Sequence, residues 1–292
     1  MLSNNVNFLR KLPRGVSTPI RNALVYPRYW RHARICRQGY KKYGQDYKNP
    51  ILFVMGLPKS GSTWLEKMIS TYPGYSDLLI PEASLAKPGL FYLPDDAFTR
   101  MNKMLVLTKM HIAAIDHNID LIERSNIPYV ILYRDLRDVC VSNFHYINLT
   151  PWNSRYKLVS QLSLSEYIDM FHESALADFC TWIDLWDQKR DKDRSIMVKY
   201  EDLLKDPHNV LRRVLDVYEL PATEERINDM VERNTFERLS GGRDRGSESK
   251  NSFFRKGKAG DWKNHFTKEQ SDKFLQIAGE WFERHGYETN PM

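Results

Sequence analysis

Cysteine is scarce in this chain. Its 292 residues include only Cys36, Cys140 and Cys180, far apart and without a CxxC pair. That argues against a disulfide framework or a cysteine-based zinc site, and it fits a reducing compartment such as the cytoplasm. Long apolar runs are missing as well. No stretch reaches the ~18 apolar residues of a membrane-spanning helix, and the opening "MLSNNVNFLRKLPRGVSTPI" lacks the apolar core of a signal peptide. There is no internal repeat and no low-complexity tract, which removes solenoid and fibrous classes. An evident carboxylate cluster for Mg²⁺ is also lacking.

What remains is the composition of a globular protein, long enough for one large α/β domain with a full core. The net charge of +6 favours anionic ligands, and such a charge also suits nucleic acid or a membrane surface. Basic and aromatic residues are concentrated in residues 23–47, "ALVYPRYWRHARICRQGYKKYGQDY". This stripe reads as a helical arm with solvated arginines lying against its own domain. Nucleic acid and an anionic membrane are the other partners such a stripe fits. We therefore divide the chain into an arm, 1–48, and a single domain, 49–292.

Short apolar runs at Ile51–Met55, Met104–Leu107, Tyr129–Tyr133 and Ile196–Val198 predict strands buried on both faces of a parallel sheet. Helical stretches lie between them. Ser163 and Glu166 form a capping-box pattern ahead of an aromatic stripe from Tyr167 to Trp186, and Thr267 and Gln270 repeat it before Phe274, Trp281 and Phe282. Gly286 is placed to stop the second of these helices. The alternation predicts a three-layer, P-loop-like α/β fold with a central parallel sheet flanked by helices. Ligands of such folds bind beyond the carboxyl ends of the strands, where Lys59, Lys109, His111, Arg134 and Tyr200 fall.

The stretch "ILFVMGLPKSGSTWLEKMI" at Ile51–Ile69 reads as strand, glycine turn and amphipathic helix, the way a phosphate-binding loop is built. Yet a Walker loop runs G-x-x-x-x-G-K-S/T, and here Lys59 precedes the second glycine, Gly61. Backbone N–H groups and the helix dipole make such a turn an anion site, to which Lys59, Ser62 and Thr63 add donors. A second basic cluster, Arg255, Lys256 and Gly257 in "SFFRKGKAGDWKNHFT", puts two cations beside a residue without a side chain, so that a backbone N–H approaches a phosphate closely. Two anion sites point to a ligand with phosphate groups at both ends.

"PKSGSTW", "YRDLRDVCVS" and "RKGKAGDWKNHFT" resemble, in order and spacing, the three signature blocks of the cytosolic-type sulfotransferases. Members of that family transfer sulfuryl from 3′-phosphoadenosine 5′-phosphosulfate (PAPS) to a small-molecule acceptor. The resemblance covers roughly residues 50–285. It implies that Lys59 stabilises the leaving phosphate while Ser60, Gly61, Ser62, Thr63 and Trp64 hold the 5′ end of the donor. Arg134 and Ser142, with Arg255, Lys256 and Gly257, match the grip on the 3′-phosphate, a task suited to arginine's planar fork. Trp64 and Phe236 match the aromatics around the adenine, with Tyr200 beside them. Asn234 stands where the family often has threonine. No metal is implied.

An alcohol needs a base to become a good nucleophile at neutral pH. The family has Lys-Thr-His at a strand end and this chain has Lys109-Met110-His111, followed by Ile112-Ala113 rather than Leu-Pro. The resemblance therefore places Lys109 in the catalytic group with Lys59 and Ser142, and His111 as the general base. His145 and Glu82 are the runners-up. Phe91, Tyr92, Phe144, Tyr146 and Trp152 are the expected acceptor-pocket residues. Glycine and polar residues make Ser240–Ser252 read as a loop that is mobile until donor binds. A homodimer has only partial support: Lys263, Thr267, Lys268 and Asp272 match the family's dimer motif in part. The acceptor offers a hydroxyl or an amine, and no nucleic-acid partner is expected. The rival readings are a P-loop kinase, which would need G-K-S/T, and a nucleic-acid-binding protein that uses the basic patches.

Overall fold

The computed structural model describes residues 14–80, 84–87, 90–151, 153–249 and 252–290. Seven strands occur among them: β1 (Ile51–Gly56), β2 (Ser76–Asp77), β3 (Ser84–Lys87), β4 (Leu90–Tyr92), β5 (Val106–Met110), β6 (Tyr129–Tyr133) and β7 (Ser195–Lys199). β3 and β4 pair as an antiparallel hairpin. The other five form one parallel sheet in the order β2-β5-β1-β6-β7.

Alternation along the strands builds three layers. Ile51, Phe53 and Met55 of β1 join one apolar cluster with the helices Leu136–Asn148, Leu164–Ser174, Leu176–Lys189 and Lys268–Arg284. Leu52 and Val54 face the other way, against the helices Ser62–Ile69, Pro207–Val217 and Glu224–Arg233. Successive strand side chains point to opposite faces, so a strand covered on both sides must be apolar throughout. This is why β1 and β6 carry no alternation in sequence. The expected central parallel sheet flanked by helices is present.

Boundaries differ where polarity was misleading. The apolar run Met104–Leu107 predicts a strand ending before Thr108, yet β5 spans Val106–Met110 and pairs Lys109 with Val54. Ladder bonds belong to the backbone, and at this carboxyl end Lys109 lines a cavity, so a lysine is tolerated there. The stripe from Tyr167 to Trp186 is two helices, broken at Ala175, which leaves helical geometry (φ −139°). Both capping boxes form, at Ser163/Glu166 and Thr267/Gln270.

The described part of the arm is a helix, Arg14–Tyr43. Ala33 and Cys36 are buried, the Cys36 thiol reaches the Ser76 carbonyl (3.5 Å), and His32 bonds the Asp77 carbonyl (2.9 Å). The arm therefore lies along the edge strand β2. Among the described residues no helix is long and apolar enough to cross a membrane. The residues of the partial dimer motif are engaged within the chain: Lys263 pairs with Glu288, Lys268 with Asp272 (3.1 Å), and Thr267 caps its helix.

Candidate active site

A cavity of about 850 Å³ opens at the carboxyl ends of β1, β5 and β6. Its floor is the turn after β1. Lys59 sits there with φ +73° and Gly61 with φ +88°, and the helix Ser62–Ile69 starts immediately after. The left-handed Gly61 lets the chain reverse tightly. A Cβ at this position would lie 2.5 Å from the Tyr200 ring. Ser62, Thr63 and Trp64 of the helix's first turn line the cavity, at the end where a helix has N–H groups to spare for an anion.

Three cations act on the Lys59 ammonium. Burial, followed by the charges of Arg134, Lys109 and Arg255, lowers its pKa to about 7. The ammonium rests on the faces of Tyr146 (4.2 Å) and Phe253 (4.5 Å), which hold it by cation–π attraction. Lys109 donates to Thr63 Oγ1 (3.0 Å) and pairs with Glu66 (3.2 Å). This ties β5 to the first turn of the phosphate-loop helix.

His111 follows β5 directly. Its Nδ1 is 2.6 Å from the Gly56 carbonyl oxygen, and a carbonyl can only accept, so Nδ1 carries the hydrogen and Nε2 is left with the lone pair. Burial, opposed by that hydrogen bond and reinforced by Lys109 and Lys59, lowers the imidazole pKa to about 4. The departure from Leu-Pro after the histidine does not loosen this corner. Buried Asn118 donates to the Phe91 and Ala113 carbonyls (3.0 and 2.9 Å), and Trp182 donates to Ile112 (2.8 Å).

The second and third blocks meet through Asp138. This buried carboxylate accepts from Arg134 (3.0 Å) and from the backbone N–H groups of Gly260 (2.7 Å) and Trp262 (3.0 Å). Arg134 also donates to the Lys258 carbonyl (2.9 Å) and lies over Tyr200 (4.3 Å). The other pair in "YRDLRD" is structural: Arg137 binds Asp135 (2.7 Å) and stacks on Trp262 (3.8 Å). Arg255 and Lys256 are held by Asp261 (2.5 and 2.7 Å) and by Glu248 (2.9 and 3.2 Å). These cations depress both carboxyl pKa values, although burial opposes the shift. Gly257 takes φ +65°, and a Cβ there would strike Phe236 at 2.4 Å, so the backbone turns directly under that ring.

Of the expected donor residues, Lys59, Gly61, Ser62, Thr63, Trp64, Arg134, Ser142, Tyr200, Phe236, Arg255, Lys256 and Gly257 line the cavity with Lys109 and His111. Ser60 is buried beneath it. Of the expected acceptor residues, Phe91 and Tyr146 line it, but Tyr92 and Phe144 do not. Tyr92 follows Phe91 on β4 and so points the other way, 42% exposed. Phe144 turns along its helix onto Tyr167 (5.4 Å). His145 and Asn234 are not among the lining residues. The Asn234 carbonyl instead fixes the Trp64 indole (2.8 Å). Glu82 and Trp152 lie outside the described residues. The residues missed by sequence reasoning include Thr150, Asn153, Ser154, Arg245, Phe253 and Phe254. The two phenylalanines adjoin Arg255, so their place in the chain was a usable signal.

The loop before the third block makes several hydrogen bonds among its described residues. Arg243 donates to the Ser247 and Arg255 carbonyls (2.9 Å each) and to Phe254 (2.5 Å), while Gly246 N–H donates to Lys256 (2.8 Å).

The fit of an anionic ligand to this cavity is visible in its polar atoms. Arg134, which lines the cavity, has a buried Nε with no hydrogen-bond partner among the described residues, a condition that a phosphate or sulfate oxygen would relieve. Among the described residues no group of three or more His, Cys, Asp and Glu is arranged to hold a metal ion.

Residues 49–286 match the sulfotransferase domain family. The chain is 24% identical to flavonol 3-sulfotransferase of Flaveria bidentis, over 94% of this chain and 96% of that protein. It is 27% identical to sulfotransferase 6B1 of Danio rerio, over 77% and 76%. The structure of mouse sulfotransferase SULT7A1 complexed with PAP superposes with a TM-score of 0.61 at 18% identity, over 80% of this chain and 84% of that one. The matched domain spans the phosphate loop, His111 and both cation clusters, and this chain belongs to the PAPS-dependent sulfotransferase family.

Proposed function

We propose that this enzyme moves the sulfuryl group of PAPS to a hydroxyl or amine of a small-molecule acceptor, with Lys59 and His111 as its chemical residues. The observation that carries this reading is their meeting in one cavity, beside a His111 imidazole whose Nδ1 is tied to Gly56. His111 Nε2 takes the acceptor proton. The Lys59 ammonium faces the charge that develops on the departing phosphate, and Lys109 and Thr63 keep the loop in register. Ser142 stands with Arg134, Arg255 and Lys256 for the donor's second phosphate group. The name of the flavonol enzyme supports a ring-bearing acceptor, and so does the mixture of Phe91, Tyr146, Phe253 and Phe254 with Thr150, Asn153 and Ser154. The proposed reaction uses no metal.

The test is transfer from radiolabelled PAPS to pooled hydroxyl and amine acceptors. Labelled product formed equally with and without EDTA is the expected result. ATP-dependent, Mg²⁺-requiring phosphorylation instead would establish the kinase reading.

Two further results are expected from calorimetric titration of 3′-phosphoadenosine 5′-phosphate (PAP). Arg255→Ala should weaken binding by roughly 1.5–3 kcal/mol, the range of a charge-assisted hydrogen bond; unchanged affinity in the folded variant removes Arg255 from the site. Glu248→Gln should act in the opposite direction. Its carboxylate holds the same two cations that a phosphate needs, and a partly exposed pair of this kind is worth at most about 1 kcal/mol, so affinity should rise about two- to fivefold. Weaker binding would mean that Glu248 positions Arg255 rather than competing for it.

A further inference from the structure

The Arg14–Tyr43 helix contributes no residue to the cavity, and yet it has the most lopsided charge in the chain. It contains Arg14, Arg21, Arg28, Arg31, Arg34, Arg37, Lys41 and Lys42 and no acidic residue, more than the whole chain's net excess of +6. Ala33 and Cys36 face the domain, while Arg28, Arg31, Arg34, Arg37, Lys41 and Lys42 are exposed. None of these six forms an ion pair with a described residue. The nearest acid on the packed side, Asp77, pairs with His32 (3.4 Å). At 100° per residue, the six cations share one outward half of the helix. At 1.5 Å per residue they run about 21 Å along it.

Two apolar side chains share that half. Trp30 is 56% exposed and Ile35 is 42% exposed. A small anion would need a pocket rather than a 21 Å band, and a nucleic acid backbone would gain little from Ile35. A bilayer surface uses every part of the band: anionic headgroups for the guanidinium and ammonium groups, and the headgroup boundary for an indole and an isoleucine.

We propose that this outward face docks the enzyme on an anionic lipid surface, with the helix lying in the plane of the bilayer. The domain stays in water, and the cavity turns over independently of the surface. The apolar content is small, so attraction is mainly electrostatic and falls with salt as the Debye length shortens.

The full-length protein is sedimented with phosphatidylserine–phosphatidylcholine vesicles and, in parallel, with phosphatidylcholine vesicles. Binding to the first and not the second, weakened by added salt, is expected. The triple variant Arg31→Ala, Arg34→Ala, Arg37→Ala should lose about 100-fold in partitioning, since each cation is worth about fivefold near such a surface. Trp30→Ser should lose several-fold more than Gln38→Ser on the same face. All three variants should keep the melting temperature of the parent, because the substituted side chains are exposed. Equal sedimentation with neutral vesicles overturns the proposal. So does a triple variant that binds like the parent, or a single-stranded oligonucleotide that binds more tightly than the vesicles with no effect of Trp30→Ser.

Discussion

His111→Ala is expected to cut turnover with a hydroxyl acceptor by about 100-fold or more, the usual scale for loss of a general base. PAP affinity should change far less, because the cations of the Lys59 loop and the Arg255 cluster stay in place and the loop loses only the His111 bond to the Gly56 carbonyl. Geometry sets the direction of the pH effect. The Nδ1–H bond to Gly56 leaves Nε2 as the proton acceptor, and the depressed pKa of about 4 keeps it neutral at ordinary pH. A His111 that serves as base in the proposed reaction is lost only as pH falls through that value, so kcat/KM should have an acid limb near 4, absent from the variant. His145→Ala is the control. That ring packs on Phe144 (5.4 Å) on the helix Leu136–Asn148, away from the cavity lining, and its loss should matter much less. A folded His111→Ala enzyme with full activity would transfer the role to His145 or Glu82.

Lys59→Ala should lower kcat by about 100- to 1000-fold, the effect of removing one preorganised donor from developing charge. In its proposed role Lys59 must be protonated, and in the free protein its pKa is lowered to about 7 by burial and by Arg134, Lys109 and Arg255. Activity measured as kcat/KM for donor should therefore fall as pH rises through about 7. Once the anionic donor is bound, the proton is held more tightly, so the corresponding limb in kcat should lie higher. Lys59→Arg cannot be deprotonated in this range and should lose the alkaline limb even where its rate is reduced. An alkaline limb that persists in Lys59→Arg would assign the titration to another group.

Much of the fold could be read locally. A strand covered on both faces shows itself as an unbroken apolar run, and β1 and β6 were placed to within a residue on that signal. Both capping boxes are short-range hydrogen-bond patterns and formed where the spacing put them. The edge strand β2 and the hairpin β3–β4 were not legible. Ser76–Asp77 is too short for a period, and its pairing is set by β5 alongside it.

The chemistry of the site divides the same way. Lysine, hydroxyls and glycine at fixed spacing after a strand predict an anion-binding turn, because backbone N–H groups, helix dipole and side-chain donors all come from one short segment. That much belongs to the sequence alone. Only the tertiary structure decided what meets what. Gly56, fifty-five residues from His111, selects the imidazole tautomer. Asp138 joins two signature blocks more than 120 residues apart. Phe91 enters the cavity while its neighbour Tyr92 does not, because a strand turns successive side chains to opposite faces. The pKa values of Lys59 and His111 likewise depend on burial and on charges brought from distant segments, and no local pattern encodes the distance between two such groups.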